Sequence, residues 1–307
     1  NWQVNQITQN EVNKWVVLPD LLLKFEFNKS KKLQLNYGLK TSFSDASRFA
    51  NNFYLNSYNS VFRGNENLQN NLFHTARIYY NRFSLYRGLL LFASLNYNKQ
   101  IKGVRNTVDF NNINQFLTVR MFNDASENIR GNFHLEKTIK NIKYKFDVGF
   151  DASNYIQELN NNLQNNKSNN YDYEIGIETL FDNFPKIEIG IKQDFGRFIT
   201  SENTTKFITT EPFINIDYNF LDGFVFNFDY QKSIYQNKTL QQKNIYEIAN
   251  TSLSYQKEIS GWSYKITAQN LFNAQFRQSN SFNNFLISDR RTFILPRIIM
   301  FSVGYNL

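Results

Sequence analysis

Hydrophobic and polar side chains alternate along this chain in short runs that recur up to its last residues. In the final run, Ile299, Phe301, Val303, Tyr305 and Leu307 alternate with residues that are mostly smaller or polar. Successive side chains of a β-strand point to opposite faces, so each run predicts a strand with one apolar and one polar face. The clearest other runs lie at 21–28, 33–40, 144–151, 171–178, 187–192, 214–220, 224–231 and 262–269.

The connections between these runs alternate between short and long. Short connections, most of them rich in Gly, Asn, Asp, Ser or Pro, are predicted at 28–31, 85–88, 140–142, 182–185, 221–223 and 258–261. Longer connections are predicted at roughly 43–71, 104–113, 155–169, 200–206, 238–243 and 274–290.

The segment 111–140 is the least regular part of the pattern. It holds two strand-like pieces around the polar residues 123–128, and we join them into one long, bulged strand. The whole chain then has about 13 strands, or about 14 if 123–128 is a true turn.

Strands that alternate in this way, joined by alternating short and long connections, are typical of transmembrane β-barrels of the bacterial outer membrane. No stretch approaches the roughly 18 consecutive apolar residues that indicate a transmembrane helix. We therefore predict an all-β chain that forms one transmembrane antiparallel β-barrel domain over residues 1–307, surrounded by outer-membrane lipid. Bacterial barrels have an even number of strands, so a thirteenth strand requires either a further strand at 5–17 or a larger barrel. The polar residues 5–11 favour the larger barrel.

Composition narrows the function classes. The chain has no cysteine, which excludes disulfides and thiolate metal sites. Its formal net charge is +8, but the basic residues are scattered, which favours solvated loops over a nucleic-acid interface. His74 and His134 are far apart and lack metal-ligand spacing, and no catalytic motif is present. We predict no enzyme activity, no catalytic residue, no cofactor and no bound metal.

Many charged residues fall on the polar faces of the predicted strands. They could line a substrate conduit or a docking surface, or they could bond to one another across neighbouring strands. These residues are Lys24, Glu26, Lys40, Lys145, Asp147, Asp151, Asp172, Glu174, Glu178, Glu188, Lys192, Asp217 and Asp229.

Two long connections carry aromatic residues among polar ones. Such residues could contact a substrate or a partner such as a surface lipoprotein, or they could pack on one another. The candidate contact residues are Phe49, Phe53, Tyr54, Tyr58 and Phe62 in 43–71, and Phe276, Arg277 and Phe282 in 274–290.

Several motifs resemble the barrels of TonB-dependent receptors of the Bacteroidetes type. They are Leu18-Pro19-Asp20 before the first strand, Gly64-Asn65-Glu66-Asn67-Leu68, Asn270-Leu271-Phe272-Asn273 and Leu295-Pro296-Arg297. Glu66 stands where that family often has proline. The resemblance implies a complete barrel of about 22 strands around a plug, of which this chain supplies the C-terminal part.

The resemblance also implies a function and partners. It implies uptake of a nutrient such as a glycan, a peptide or a metal chelate, with TonB acting through a plug upstream of this chain. The terminal strand resembles the signal read by the barrel-assembly machinery, carried by Ile299, Phe301, Val303, Tyr305 and Leu307. The alternatives are a barrel that scaffolds an outer-membrane complex without transport, and a soluble all-β binding domain, which would need polar exteriors on its strands.

Overall fold

The computed structural model of the protein describes residues 15–201, 203–256, 261–282 and 287–305. Most of these residues are in β-strands, and one 3-10 turn lies at Ala46–Phe49. The strands are β1 (Asp20–Asn28), β2 (Lys31–Ser42), β3 (Tyr54–Ser57), β4 (Ser60–Arg63), β5 (Asn71–Ser84), β6 (Leu89–Asn111), β7 (Asn114–Phe122), β8 (Ser126–Ile139), β9 (Ile142–Leu159), β10 (Asn162–Thr179), β11 (Lys186–Ile199), β12 (Thr204–Phe220), β13 (Phe224–Asn237), β14 (Gln242–Gln256), β15 (Trp262–Gln269), β16 (Phe276–Phe282), β17 (Ile287–Phe293) and β18 (Ile298–Tyr305). Within the described part of the chain, no helix is long and apolar enough to cross a membrane.

Thirteen strands form one continuous path through the main sheet. Its order is β1-β2-β5-β6-β8-β9-β10-β11-β12-β13-β14-β15-β18, and successive strands in it pair antiparallel. The prediction of an all-β antiparallel fold is confirmed, and this path agrees with the expected number of strands. Strands β1 and β18 form the two edges of the path, and no pairing joins them within the described residues.

Strands β7 and β8 act as one long strand beside β6. Gly103 of β6 pairs with Phe122 at the end of β7, and Gln100 pairs with Ser126 at the start of β8. Both strands run antiparallel to β6, so the chain continues in one direction through the irregular residues 123–125. The prediction of one bulged strand across 111–140 is confirmed, apart from a reversal at its first residues.

Five of the predicted short connections lie at chain reversals, but two predicted long connections are wrong. Strand β6 continues to Asn111, and β9 and β10 pair along their full lengths around Asn160 and Asn161. These two asparagines have φ values of 49° and 61°, a left-handed conformation that asparagine tolerates better than most residues. The residues at 104–113 and 155–169 are therefore mainly strand, with tight turns at 112–113 and 160–161. The sixth short connection, 258–261, lies almost wholly outside the described residues.

The long connection 43–71 folds into a small structure of its own. It contains the 3-10 turn and the hairpin β3–β4, and β4 pairs parallel with β7. This pairing places a compact apolar cluster, here called the loop core, at the long-connection end of the sheet. The buried members of the loop core are Phe62, Leu68, Val104, Val108, Leu117 and Val119.

The strand register keeps the two faces of the sheet distinct. We call them the Phe226 face and the Asn227 face, after neighbouring residues of β13. Toward the short connections, the Phe226 face carries an exposed apolar band, in which Ile189 is 55% and Phe301 65% exposed. One member from each strand of the path defines the band: Leu23, Leu35, Ile78, Leu95, Leu135, Phe146, Ile175, Ile189, Ile214, Phe226, Leu253, Ile266 and Phe301.

Candidate functional site

The polarity of the two faces reverses along single, continuous strands. In β12, Ile214 belongs to the apolar band on the Phe226 face. Nearer the long-connection end of the same strand, Lys206 lies exposed on that face, whereas Phe207 lies on the Asn227 face and is 5% exposed. Strands β11 and β13 show the same reversal, with Arg197 and Lys232 on the Phe226 face and Phe198 and Tyr235 buried on the other. On each of these three strands, the Phe226 face therefore suits apolar surroundings near the short connections and polar surroundings near the long connections.

Ion pairs mark the long-connection edge of the apolar band. Lys99 of β6 lies 2.7 Å from the carboxylate of Glu127, directly opposite it on β8. Lys232 of β13 lies 2.8 Å from Glu247, directly opposite it on β14. Since charged side chains are costly in an apolar environment, these pairs bound the region that can face one.

The Asn227 face is held together by hydrogen bonds between neighbouring strands. The Asn227 side-chain amide donates to Asp217 at 2.6 Å, and that of Asn250 donates to Asp229 at 2.7 Å. The Arg130 guanidinium donates to Asp151 at 2.7 Å. These carboxylates therefore bond to side chains of neighbouring strands, which is one of the two roles predicted for the charged residues.

A buried carboxylate lies near the short-connection end of the Asn227 face. Glu178 of β10 is 1% exposed, and its oxygens lie 2.7 Å from Lys145, 2.8 Å from Lys186 and 3.3 Å from Lys143. Lys145 also lies 2.7 Å from Glu188. These contacts connect β9, β10 and β11, so the cluster fixes the register of three strands.

A cleft of about 610 Å³ separates the β16–β17 hairpin from the Asn227 face. Carboxylates of the sheet line one side, and arginines of the hairpin line the other. The lining acids are Asp172, Asp194 and Glu211, and the lining bases are Arg277 and Arg290. Carboxylates accept hydrogen bonds and guanidinium groups donate them, so the cleft can hold a polar ligand with both positive and negative groups.

A second cleft, of about 480 Å³, lies between strands β13–β15 and the segment 294–296. Asn270 connects the parts of this region; it has φ at 51° and is 3% exposed. Its amide donates to the carbonyls of Ala274 at 2.9 Å and Leu295 at 2.8 Å. Asn273 accepts a hydrogen bond from the Arg297 N–H at 3.1 Å. The two asparagines of the 270–273 motif therefore attach the β16–β17 hairpin and its return segment to the sheet.

The aromatic residues predicted in 43–71 fall into two groups. Phe62 is 7% exposed in the loop core, and Phe49 packs against that core. Tyr54 contacts Phe62, with ring centroids 5.1 Å apart. Phe53 and Tyr58 are exposed, Tyr58 at 94%. The structure thus offers Phe53, Tyr54 and Tyr58 to solvent and uses Phe49 and Phe62 for packing.

The candidates in 274–290 lie on the β16–β17 hairpin. The guanidinium of Arg291 lies 5.2 Å from the centroid of the Phe276 ring. Arg277 lines the first cleft, and Phe282 ends β16 opposite Ile287. These residues are separated from the 43–71 group along the chain, and Arg277 lies among the cleft residues.

The predicted assembly-signal residues share one face of the last described strand. Ile299, Phe301, Val303 and Tyr305 lie on the Phe226 face of β18, all exposed. Tyr305 packs on Trp262 of β15, with ring centroids 4.8 Å apart. Leu307 lies outside the described residues.

The two histidines have polar partners in the sheet. The Tyr37 hydroxyl lies 2.8 Å from Nδ1 of His74, and the Asp147 carboxylate lies 2.6 Å from Nδ1 of His134. In the described ranges of the chain, no group of three or more His, Cys, Asp or Glu side chains could hold a metal ion.

No family model matches the chain, and no curated protein matches it. The family resemblance of the sequence motifs therefore stays a prediction.

Sequence reasoning did not identify the buried cluster or the charged cleft. Glu178 was one of many charged residues on a polar face, and Asp194 and Glu211 were not singled out. The positions of the turns could have predicted the cluster. The turns at 140–141 and 180–185 bring Lys143, Glu178 and Lys186 to the same end of the sheet.

Proposed function

We propose that the protein forms part of a transmembrane β-barrel in the bacterial outer membrane, and that this barrel belongs to a TonB-dependent transporter. In this proposal the Phe226 face contacts lipid and the Asn227 face lines the interior. The observation that carries it is the reversal of polarity within continuous strands, such as from Ile214 to Lys206 in β12.

The length of the apolar band supports a bilayer as its surroundings. On β6 the Phe226 face is free of charge from Leu89 to Tyr97, and Arg87 and Lys99 lie just beyond. A tilted transmembrane strand needs about 9–11 residues to cross the hydrocarbon core. The band also extends over every strand of the path, whereas soluble monomers rarely expose apolar patches larger than a few hundred Å².

The two edges of the sheet support a larger barrel. Strands β1 and β18 do not pair with each other in the described part of the chain. An open edge in hydrocarbon would leave backbone N–H and C=O groups without partners, at several kcal/mol each. In the proposal these edges pair with further strands, and the complete barrel has about 22 strands around a plug, as the sequence motifs imply.

The transport part of the proposal is supported by the clefts of the Asn227 face and by the sequence resemblance. The first cleft lies toward the long connections, which are extracellular in such barrels, and presents charges of both signs to a substrate. A nutrient such as a glycan, a peptide or a metal chelate would pass along the Asn227 face while TonB moves the plug. Exposed Phe53 and Tyr58 are available to a surface lipoprotein, and β18 to the barrel-assembly machinery.

The orientation of the two faces can be tested with single cysteines, because the chain has none of its own. Phe226→Cys and Asn227→Cys would each be labelled with a fluorophore and reconstituted in bilayers that contain brominated lipids. We expect strong quenching of the label at 226 and weak quenching at 227. Equal quenching at the two sites would contradict a lipid-facing band.

The transport function needs a separate test in the native cell. The polypeptide would be purified from its membrane, and its intact mass and N-terminal sequence would be determined. A chain longer than these 307 residues, with an upstream plug and TonB contact, supports transport. A barrel without a plug that co-purifies stably with other proteins would instead support a scaffold.

A further inference from the structure

At one place along the long-connection edge of the apolar band, two positively charged residues lie opposite each other. At Lys99 and Lys232 the residue directly opposite on the next strand is a glutamate. On β11 and β12, by contrast, Arg197 lies directly opposite Lys206 on the same face, and both are exposed. Like charges directly opposite in a sheet are unfavourable unless an anion lies between them.

Two further cations adjoin this pair. The backbone N–H of Lys238, in the turn after β13, donates to the Lys206 carbonyl at 2.9 Å. Lys167 of β10 lies opposite Ile199 and is therefore diagonal to Arg197. We call Lys167, Arg197, Lys206 and Lys238 the cation cluster. Within the described ranges, no carboxylate forms an ion pair with any of the four.

An apolar groove begins directly beside the cation cluster. The cross-strand row next to Arg197 and Lys206 consists of Tyr171, Phe195 and Ile208. Tyr171 and Phe195 also line a groove of about 390 Å³ on the Phe226 face, which continues toward the short connections. Its other members on this face are Phe146, Val148, Phe150, Tyr173 and Ile175.

We propose that the cation cluster and the groove together form a binding site for an anionic lipid of the outer leaflet. The lipid phosphate lies between Arg197 and Lys206, and one acyl chain lies in the groove. This inference rests on the proposed function, because it requires the apolar band to lie in the bilayer with the long connections outside.

The arrangement of the site explains why the ligand is a lipid and not a soluble anion. Arg197 offers a planar donor group suited to phosphate oxygens, and three lysines add positive charge. The groove adds apolar contact that inorganic phosphate cannot use. The site also lies at the edge of the band, which in the proposed membrane is the depth of the headgroups, and basic side chains there attract anionic lipids.

The test compares two double variants of the full chain. The first, Arg197→Gln with Lys206→Gln, removes the opposed cations. The second, Lys99→Gln with Lys232→Gln, removes the same charge from the same edge but outside the cluster, and it serves as the matched control. Both would be reconstituted in nanodiscs of neutral lipid, and binding of a phosphate-bearing lipid A would be measured by native mass spectrometry.

We expect the cluster variant to bind the lipid about fivefold more weakly for each cation removed, and the control to bind nearly as well as the unchanged chain. Removing the phosphate from the lipid A should weaken binding to the unchanged chain by a similar factor. Phe195→Asn should weaken binding of the acylated probe but leave any binding of inorganic phosphate unchanged.

Two results would overturn the inference. One is equal loss in the cluster and control variants, which would indicate a general charge effect. The other is inorganic phosphate that competes fully with the lipid, which would indicate a soluble-anion site. Failure of the proposed function is separate, since it would appear as equal quenching at positions 226 and 227.

Discussion

An ion pair joins Lys145 to Glu178 at a distance of 2.7 Å, although the glutamate is only 1% exposed. A carboxylate so far removed from water is stable only when its charge is compensated, and two more lysines supply that compensation. The pair also crosses from β9 to β10, so it depends on the correct register of both strands.

Glu178→Gln should therefore lower the stability of the sheet by about 3 kcal/mol, because it removes the shared carboxylate from three neighbouring lysines and leaves Glu188, the second partner of Lys145, to compensate their charge. The measurement is a urea unfolding titration of the protein folded into lipid vesicles. Glu26→Gln is the matched control, since Glu26 also pairs with a lysine, at 2.9 Å, but in solvent. A similar effect of both changes would show that the buried cluster has no special role.

Phe226→Arg should destabilise the vesicle-inserted protein by about 2–4 kcal/mol, provided that this position is near the middle of the bilayer. Asn227→Arg should be much milder, because Asn227 lies on the polar face beside Asp217. Folding titrations in the same vesicles give both values. Equal losses would contradict the assignment of the two faces.

Phe62→Ala should open a cavity in the loop core and cost about 3–5 kcal/mol of local stability. Phe62 pairs with Leu117, so hydrogen exchange should accelerate at 60–63 and at 115–118 together. Tyr58→Ala, at an exposed position of the same connection, should leave exchange unchanged. If only 60–63 responded, the two segments would not form one core.

Arg277→Asp should weaken the attachment of the β16–β17 hairpin. The change places another carboxylate opposite the acidic side of the first cleft, where it is repelled. Hydrogen exchange in 276–282 should rise by about tenfold. Arg291→Asp is the control, since Arg291 stacks on Phe276 and does not line the cleft. Adding Glu211→Arg to Arg277→Asp should restore slow exchange, and no restoration would argue against contact across the cleft.

Alternation predicts strands well where the two faces meet different surroundings. The run from Phe224 to Tyr230 is such a case, and the strand found there has the predicted faces. Tight turns are equally easy to predict from the sequence, since residues such as Asp222 and Gly223 are common in them.

The same signal fails where the strands extend beyond the apolar band. From Lys167 to Asn170, at the inner end of the stretch predicted as a loop, both faces are polar, so the sequence shows no alternation even though the strand continues. The clefts were harder still to predict. They depend on the hairpin β16–β17 folding over strands that are distant in sequence, and single-strand patterns carry no information on that contact.

The pairing of β4 with β7 also has a consequence for the order of folding. Nearly all strands that pair in the main sheet are close to each other in sequence. The sheet can therefore form hairpin by hairpin from local contacts. Strand β4 pairs instead across β5 and β6, with Ser60 opposite Gln115. The closure of that long chain segment must wait until β6 and β7 are in place, so the pairing of β4 with β7 forms after the hairpin β5–β6 that it spans.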